Sequence, residues 1–178
     1  MITESKYSIG LRYGLITGFS YAVLIFLRYL LFASSPRSFY FLAMVSYLFV
    51  LFMYLLTGMA RKKELGPSVE LKSIFQSIFI AILITEFLYV IFNFVYLKFI
   101  NPGFLENFQK YALDYYKKLN YTPEQMDLEM QGIRTLSDAL RPAGLLKGFG
   151  TYVVMDSIFG FAFAALLNRK KAIVEKHK

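Results

Sequence analysis

Cysteine is absent from the 178 residues, which excludes disulfides, a thiolate nucleophile and thiolate metal ligands. Histidine occurs once, as His177 in a charged tail. The apolar part of the chain therefore has no haem-ligand histidine and no Ser/His pairing, and it carries no metal-ligand cluster and no phosphate-binding loop. Charge is scarce as well, with Asp, Glu, Lys and Arg together making up 18%. What fills the chain instead is 57% hydrophobic residues, with 19 Phe, 14 Tyr and a mean hydropathy of +0.47. That is too apolar and too contiguous for a soluble domain of this size.

The central feature is Ile74 to Phe99, nearly unbroken Ile, Leu, Phe, Val and Tyr, long enough at about 1.5 Å per residue to cross a hydrocarbon core of about 30 Å. Three more runs qualify: Tyr13 to Ala33, Phe39 to Ala60 and Gly148 to Leu167. Backbone groups in lipid must be satisfied within the segment, and no alternating barrel strands occur, so the expected fold is all-α, an integral membrane four-helix bundle over residues 1–178. The first run is too long for the apolar part of a signal peptide, and Pro36 follows its Ala33-Ser34-Ser35 end, so it reads as a span. Tryptophan is absent, which leaves Tyr and Phe to form the interfacial belts.

The net charge of +8 does not point to nucleic acid, because the basic residues gather at the ends of the apolar runs. With both termini inside, Lys6, Arg12, Arg61, Lys62, Lys63, Lys72, Arg169, Lys170, Lys171, Lys176 and Lys178 share the inner side, eleven of the twenty basic residues. The positive-inside rule then predicts an inner-membrane protein with N and C termini in the cytoplasm. Arg61, Lys62 and Lys63 read as a topology anchor, with anionic lipid headgroups as the sharper alternative partner.

Gly10, Gly14 and Gly18 recur every four residues and form a small-residue face on which another helix backbone can approach closely, either within the bundle or from a partner. Gly160 lies on a similar row of the last span with Gly148, Tyr152, Asp156, Ala164 and Asn168. Between spans three and four, about residues 102–141 form the one sizeable polar piece. Phe104, Phe108, Tyr111 and Tyr115 predict one face of an amphipathic helix, and Met126, Met130, Ile133 and Leu140 predict a second. Thr122-Pro123-Glu124-Gln125 reads as the start of that second helix, with Thr as N-cap and Gln at N3. The resulting outer hairpin is a lid on the bundle or a dock for another protein, followed at 168–178 by a cytoplasmic tail.

Away from their ends, the spans carry four charged or amide groups: Arg28, Glu86, Asn93 and Asp156. A charge near mid-membrane costs about 2.5 kcal/mol or more, so each asks for a reason. Counting from the outer ends, Arg28 and Asn93 lie about 8 Å deep, Asp156 about 12–14 Å and Glu86 about 18–20 Å. Arg28 is thus expected to meet Asn93 or Asp156, and Glu86 is left without a partner within reach. Glu86 is expected to be a neutral, hydrogen-bonded packing residue, a proton or cation relay, or one half of a pair with another subunit; were it close to Asp156, the two would share a proton. Ile84-Thr85-Glu86-Phe87 and Val154-Met155-Asp156-Ser157 do not resemble the motifs of intramembrane aspartyl proteases, and no catalytic residue or cofactor is expected.

The overall pattern resembles a family of small four-span membrane proteins of Bacteroidota, known as a domain of unknown function, family 4199. The resemblance rests on Tyr13-Gly14-Leu15 through Gly18, on Arg61-Lys62-Lys63 with Gly66, and on Ile100-Asn101-Pro102-Gly103-Phe104-Leu105-Glu106. It implies an inner-membrane protein and supplies no activity. The expected function is a non-catalytic accessory or scaffold subunit whose partners are membrane lipids and other integral membrane subunits or further copies of itself. A small proton- or ion-coupled transporter using Glu86 and Asp156 is the alternative.

Overall fold

The computed structural model describes residues 8–168. Lys6, His177 and the basic residues after Asn168 lie outside the described residues. Within them the chain is helical, without strands. Helices α1 (Ser8–Leu31), α2 (Pro36–Leu65), α3 (Leu71–Val95) and α6 (Pro142–Asn168) form the bundle, and α4 (Phe104–Lys118) and α5 (Pro123–Leu140) form a hairpin at one end. The last turn of α3 widens into a π-helical turn at Tyr96–Ile100. With that turn included, the four long helices have 24, 30, 30 and 27 residues and are apolar enough to cross a membrane. Their lengths, about 36–45 Å at 1.5 Å per residue, exceed the hydrocarbon core. Four crossings put both ends of the described chain on one side and the hairpin on the other.

Chain chemistry sets the helix ends. Pro36 opens α2 at a position that needs no N–H, after an extended Ser35. Gly66 closes it at φ 82, a conformation that disfavours a Cβ, with its N–H on the Lys62 carbonyl at 3.0 Å. Asn101-Pro102-Gly103 stops the third crossing, and Asn101 N–H reaches back to Tyr96 O at 2.7 Å. Tyr96 is thereby buried, while Phe99 and Ile100 face outward.

Helix α3 is the centre of the bundle, packing on α1, α2 and α6, while α2 also touches both flanking helices. Gly10, Gly14 and Gly18 all face α3: a Cβ at Gly10 would lie 2.6 Å from Ser77 O, and one at Gly14 would lie 2.9 Å from Ala81 Cα. The glycine row is thus occupied inside the chain. Gly160 brings α6 against Ile78 and Ile82 of α3 in the same way. Outward-facing Phe19, Phe41, Leu48, Phe52, Ile158 and Phe161 present the apolar belt that lipid would cover.

The hairpin sits on the bundle end through Phe104 and Phe108, whose rings pack on Tyr29 and Phe39. Its first helix buries Phe104, Phe108, Ala112 and Tyr116, a straight four-residue row. Tyr111, expected on that face, is largely exposed, and Tyr115 is half-buried, because the row runs through the small Ala112 instead. Helix α5 buries Met130, Ile133, Ser137 and Leu140, with Met126 packed at its edge. Gln109 Nε2 donates to Ser137 Oγ at 3.1 Å, and the Tyr116 hydroxyl donates to Glu129 Oε2, also at 3.1 Å. Burial and the Glu129 carboxylate push the Tyr116 hydroxyl above the usual tyrosine range, so it stays a donor at any physiological pH.

The reciprocal capping box at the start of α5 is present: Gln125 N–H donates to Thr122 Oγ1 at 3.3 Å and Thr122 N–H donates to Gln125 Oε1 at 3.0 Å. Thr122→Ala is expected to cost about 1 kcal/mol and to raise amide exchange in the first turn of α5 with the spans unaffected. Exchange unchanged from Glu124 to Met126 would show that the cap does not hold this helix.

Candidate functional site

The charged and amide groups of the spans fall into two layers. The deeper layer joins α2, α3 and α6. Glu86 lies fourteen residues before the end of the π turn at Ile100, and Asp156 fourteen residues after the start of α6 at Pro142. Both therefore sit about 21 Å from the hairpin end. Their carboxyl groups are within hydrogen-bonding reach of each other, and the residues are 4% and 1% exposed. The expectation that Glu86 stands alone is corrected here. It rested on starting the last span at Gly148, whereas α6 starts at Pro142, with Leu145 already buried.

Helix α2 completes this layer with two tyrosines. The Tyr47 hydroxyl donates to Asp156 Oδ1 at 2.7 Å, and the Tyr54 hydroxyl lies beside Asp156 and Thr85 without an aligned bond to either. Thr85 Oγ1 donates to Gly14 O at 3.4 Å, tying the layer to α1. Tyr47, Tyr54 and Thr85 were not singled out from sequence. The available signal was the seven-residue spacing of Tyr47 and Tyr54, which places both on one face of a span that contains no charge.

The second layer lies toward the hairpin. The Tyr29 hydroxyl donates to Asn93 Oδ1 at 2.5 Å, and Asn93 Nδ2 donates to Tyr89 O at 2.8 Å, which satisfies the fully buried amide. Arg28 meets neither Asn93 nor Asp156, contrary to expectation. Its guanidinium lies 4.7 Å from the Phe39 ring centroid and 5.5 Å from that of Tyr29, with Nε unpaired. A flat cation on an aromatic face keeps part of its electrostatic stabilisation without an anion.

On the side of the termini, the basic triplet divides. Arg61 is buried and paired with Glu64, Lys62 Nζ donates to the Leu167 carbonyl, and Lys63 is exposed. Two of the three cations expected at lipid headgroups thus have partners within the chain.

Chemically, the deep layer is a carboxyl pair surrounded by hydroxyls. A hydrogen bond between two carboxyls requires a proton on one of them. No Lys or Arg among the described residues forms an ion pair with either. Nor do three His, Cys, Asp or Glu side chains gather there as a metal-binding group. The arrangement can hold and release a proton.

No curated protein and no solved structure matches the chain. The family described as "Protein of unknown function (DUF4199)" matches residues 12–169, a stretch that includes α1 from Arg12 onward, the other three long helices, the hairpin and both polar layers. The chain is a multi-helix membrane protein of the DUF4199 family.

Proposed function

We propose that this protein is a non-catalytic accessory or scaffold subunit of a larger assembly in the inner membrane, with both termini in the cytoplasm. The observation that carries the reading is the inward satisfaction of the spans. Glu86, Asp156 and Asn93 are bonded or apposed within the bundle, and the glycine row is filled by α3. The surface left for recognition is the hairpin, where Leu128 is 70% exposed and Leu119 48% exposed on otherwise polar helices. Arg12, Arg61, Lys62, Lys63 and Lys72 on the side of the termini support the orientation.

A second reading, a small proton-coupled transporter, draws on the titratable carboxyl pair. Purification in mild detergent with mass-spectrometric identification separates the two. Wild type and Glu86→Gln are expected to carry the same stoichiometric membrane partners, and Leu128→Glu is expected to lose them. A lone oligomer that moves protons in liposomes would overturn the scaffold reading.

A further inference from the structure

Two oxygens at the centre of the bundle have no aligned partner, Asp156 Oδ2 and the Tyr54 hydroxyl, on residues 1% and 0% exposed. Unpaired oxygens at such burial are uncommon and costly. Asp156 Oδ1 already takes the Tyr47 hydroxyl, so Oδ2 is the oxygen free to meet Glu86. If both acids were ionised, acceptor would face acceptor; one hydrogen between them satisfies both. The groups that face the pair are uncharged: Tyr47 and Tyr54 from α2, Thr85 from α3, and Tyr21 from α1 and Tyr152 from α6 at greater distance. Arg28, in the second layer, is committed to the rings of Phe39 and Tyr29.

The surroundings are also asymmetric. Toward the termini, Ile74, Ile78 and Ile82 are fully buried, Gly160 packs on Ile78 and Ile82, and the buried Thr57 and Ser77 hydroxyls donate to carbonyls of their own helices. Toward the hairpin, a cleft of about 360 Å³ is lined by Asp138, Lys147, Thr151 and Tyr152. Tyr152 is 40% exposed there, sits edge-on to Tyr89 at 5.9 Å and is near enough to feel the charge of Glu86.

We propose that Glu86 and Asp156 form a binding site for one exchangeable proton, which enters and leaves from the hairpin side past Tyr152. On release, the O–H bond of the protonated carboxyl breaks and a water in the cleft takes the proton. The pair passes from one negative charge to two, and the Tyr54 hydroxyl turns to donate to Asp156 Oδ2. The site responds to the medium on one side of the membrane whether the chain serves as a scaffold or as a transporter.

The test uses the full chain in liposomes, sorted for a single orientation by a terminal tag, with infrared difference spectra after a pH jump on one side. A protonated-carboxyl band that shifts in D2O is expected to titrate in wild type and to be lost in the Glu86→Gln/Asp156→Asn double variant, whose fold is checked by circular dichroism. The band should follow a jump on the hairpin side and ignore one on the side of the termini, and Tyr152→Phe should slow the response. No titrating band, a band that persists in a folded double variant, or a response from the side of the termini would each overturn the proposal. If the double variant does not fold, the one-sided response of wild type still decides.

Discussion

Gly14→Leu is expected to drive α1 away from α3 and to leave a protein that loses its monodisperse form on mild heating in detergent, whereas Gly18→Ala keeps it. The difference lies in what each new side chain would strike. At Gly14 the Cβ alone would lie 2.9 Å from Ala81 Cα and 3.1 Å from Ala81 O, backbone atoms that no rotamer change can move. The same contact brings Thr85 Oγ1 to 3.4 Å from Gly14 O, so separating the helices also breaks a buried interhelical hydrogen bond. At Gly18 the nearest atom is Leu88 Cδ1 at 2.5 Å, the tip of a flexible side chain that can swing aside. Extra methylenes in a packed core cost about 1–3 kcal/mol, and a leucine at a backbone contact lies at or beyond the upper end of that range. Size-exclusion profiles after a heating ramp give the comparison. Equal losses for the two variants would mean that backbone proximity is not what holds α1 to α3.

The parts of this fold that could be read from the chain are those set by local composition. Span length depends only on a run of apolar residues, so four crossings and the stop at Asn101-Pro102-Gly103 are visible without any partner. Periodicity shows that Gly10, Gly14 and Gly18 share a face, but not which helix covers it, since the identity of the neighbour is a property of the assembled bundle. The misplacement of Glu86 has a specific cause. Lys147 reads as the end of an apolar run, yet a lysine can extend its head toward water from inside a helix, and α6 continues past it to Pro142. Starting six residues late displaces Asp156 by about 9 Å along the axis, enough to separate two carboxyls that lie at one depth. Tyr47 and Tyr54 were hidden by abundance: in a chain with 14 tyrosines, most can be assigned to interfacial belts, and only the neighbouring helix shows which hydroxyl finds a carboxylate. Arg28 followed an aromatic face instead of an amide or an acid, a choice decided by where Phe39 enters from α2.

Phe108→Ala is expected to release the hairpin from the bundle while the four long helices stay assembled. Phe108 is 1% exposed, with its ring 4.5 Å from Phe39 and stacked 5.8 Å from Phe104. Truncating a buried phenylalanine costs about 3–5 kcal/mol through lost transfer energy and the cavity left behind. Little else shares that load, because α4 touches the long helices mainly at this aromatic cluster, and α5 is tied in through its short corner with α6. The loss is therefore local: protease cleavage and amide exchange should rise across residues 104–140 and stay near wild type in α1 to α3. Phe39 would lose its Phe108 contact yet keep Tyr29 on one side and the Arg28 guanidinium over its ring, so the second polar layer should survive. Leu128→Ala, at a site 70% exposed, should change stability by no more than about 0.5 kcal/mol. Cleavage confined to wild-type sites in Phe108→Ala would show that the hairpin is held elsewhere, and the α5–α6 corner, where a Cβ at Gly144 would come within 2.2 Å of Asp138 O, would become the contact to alter next.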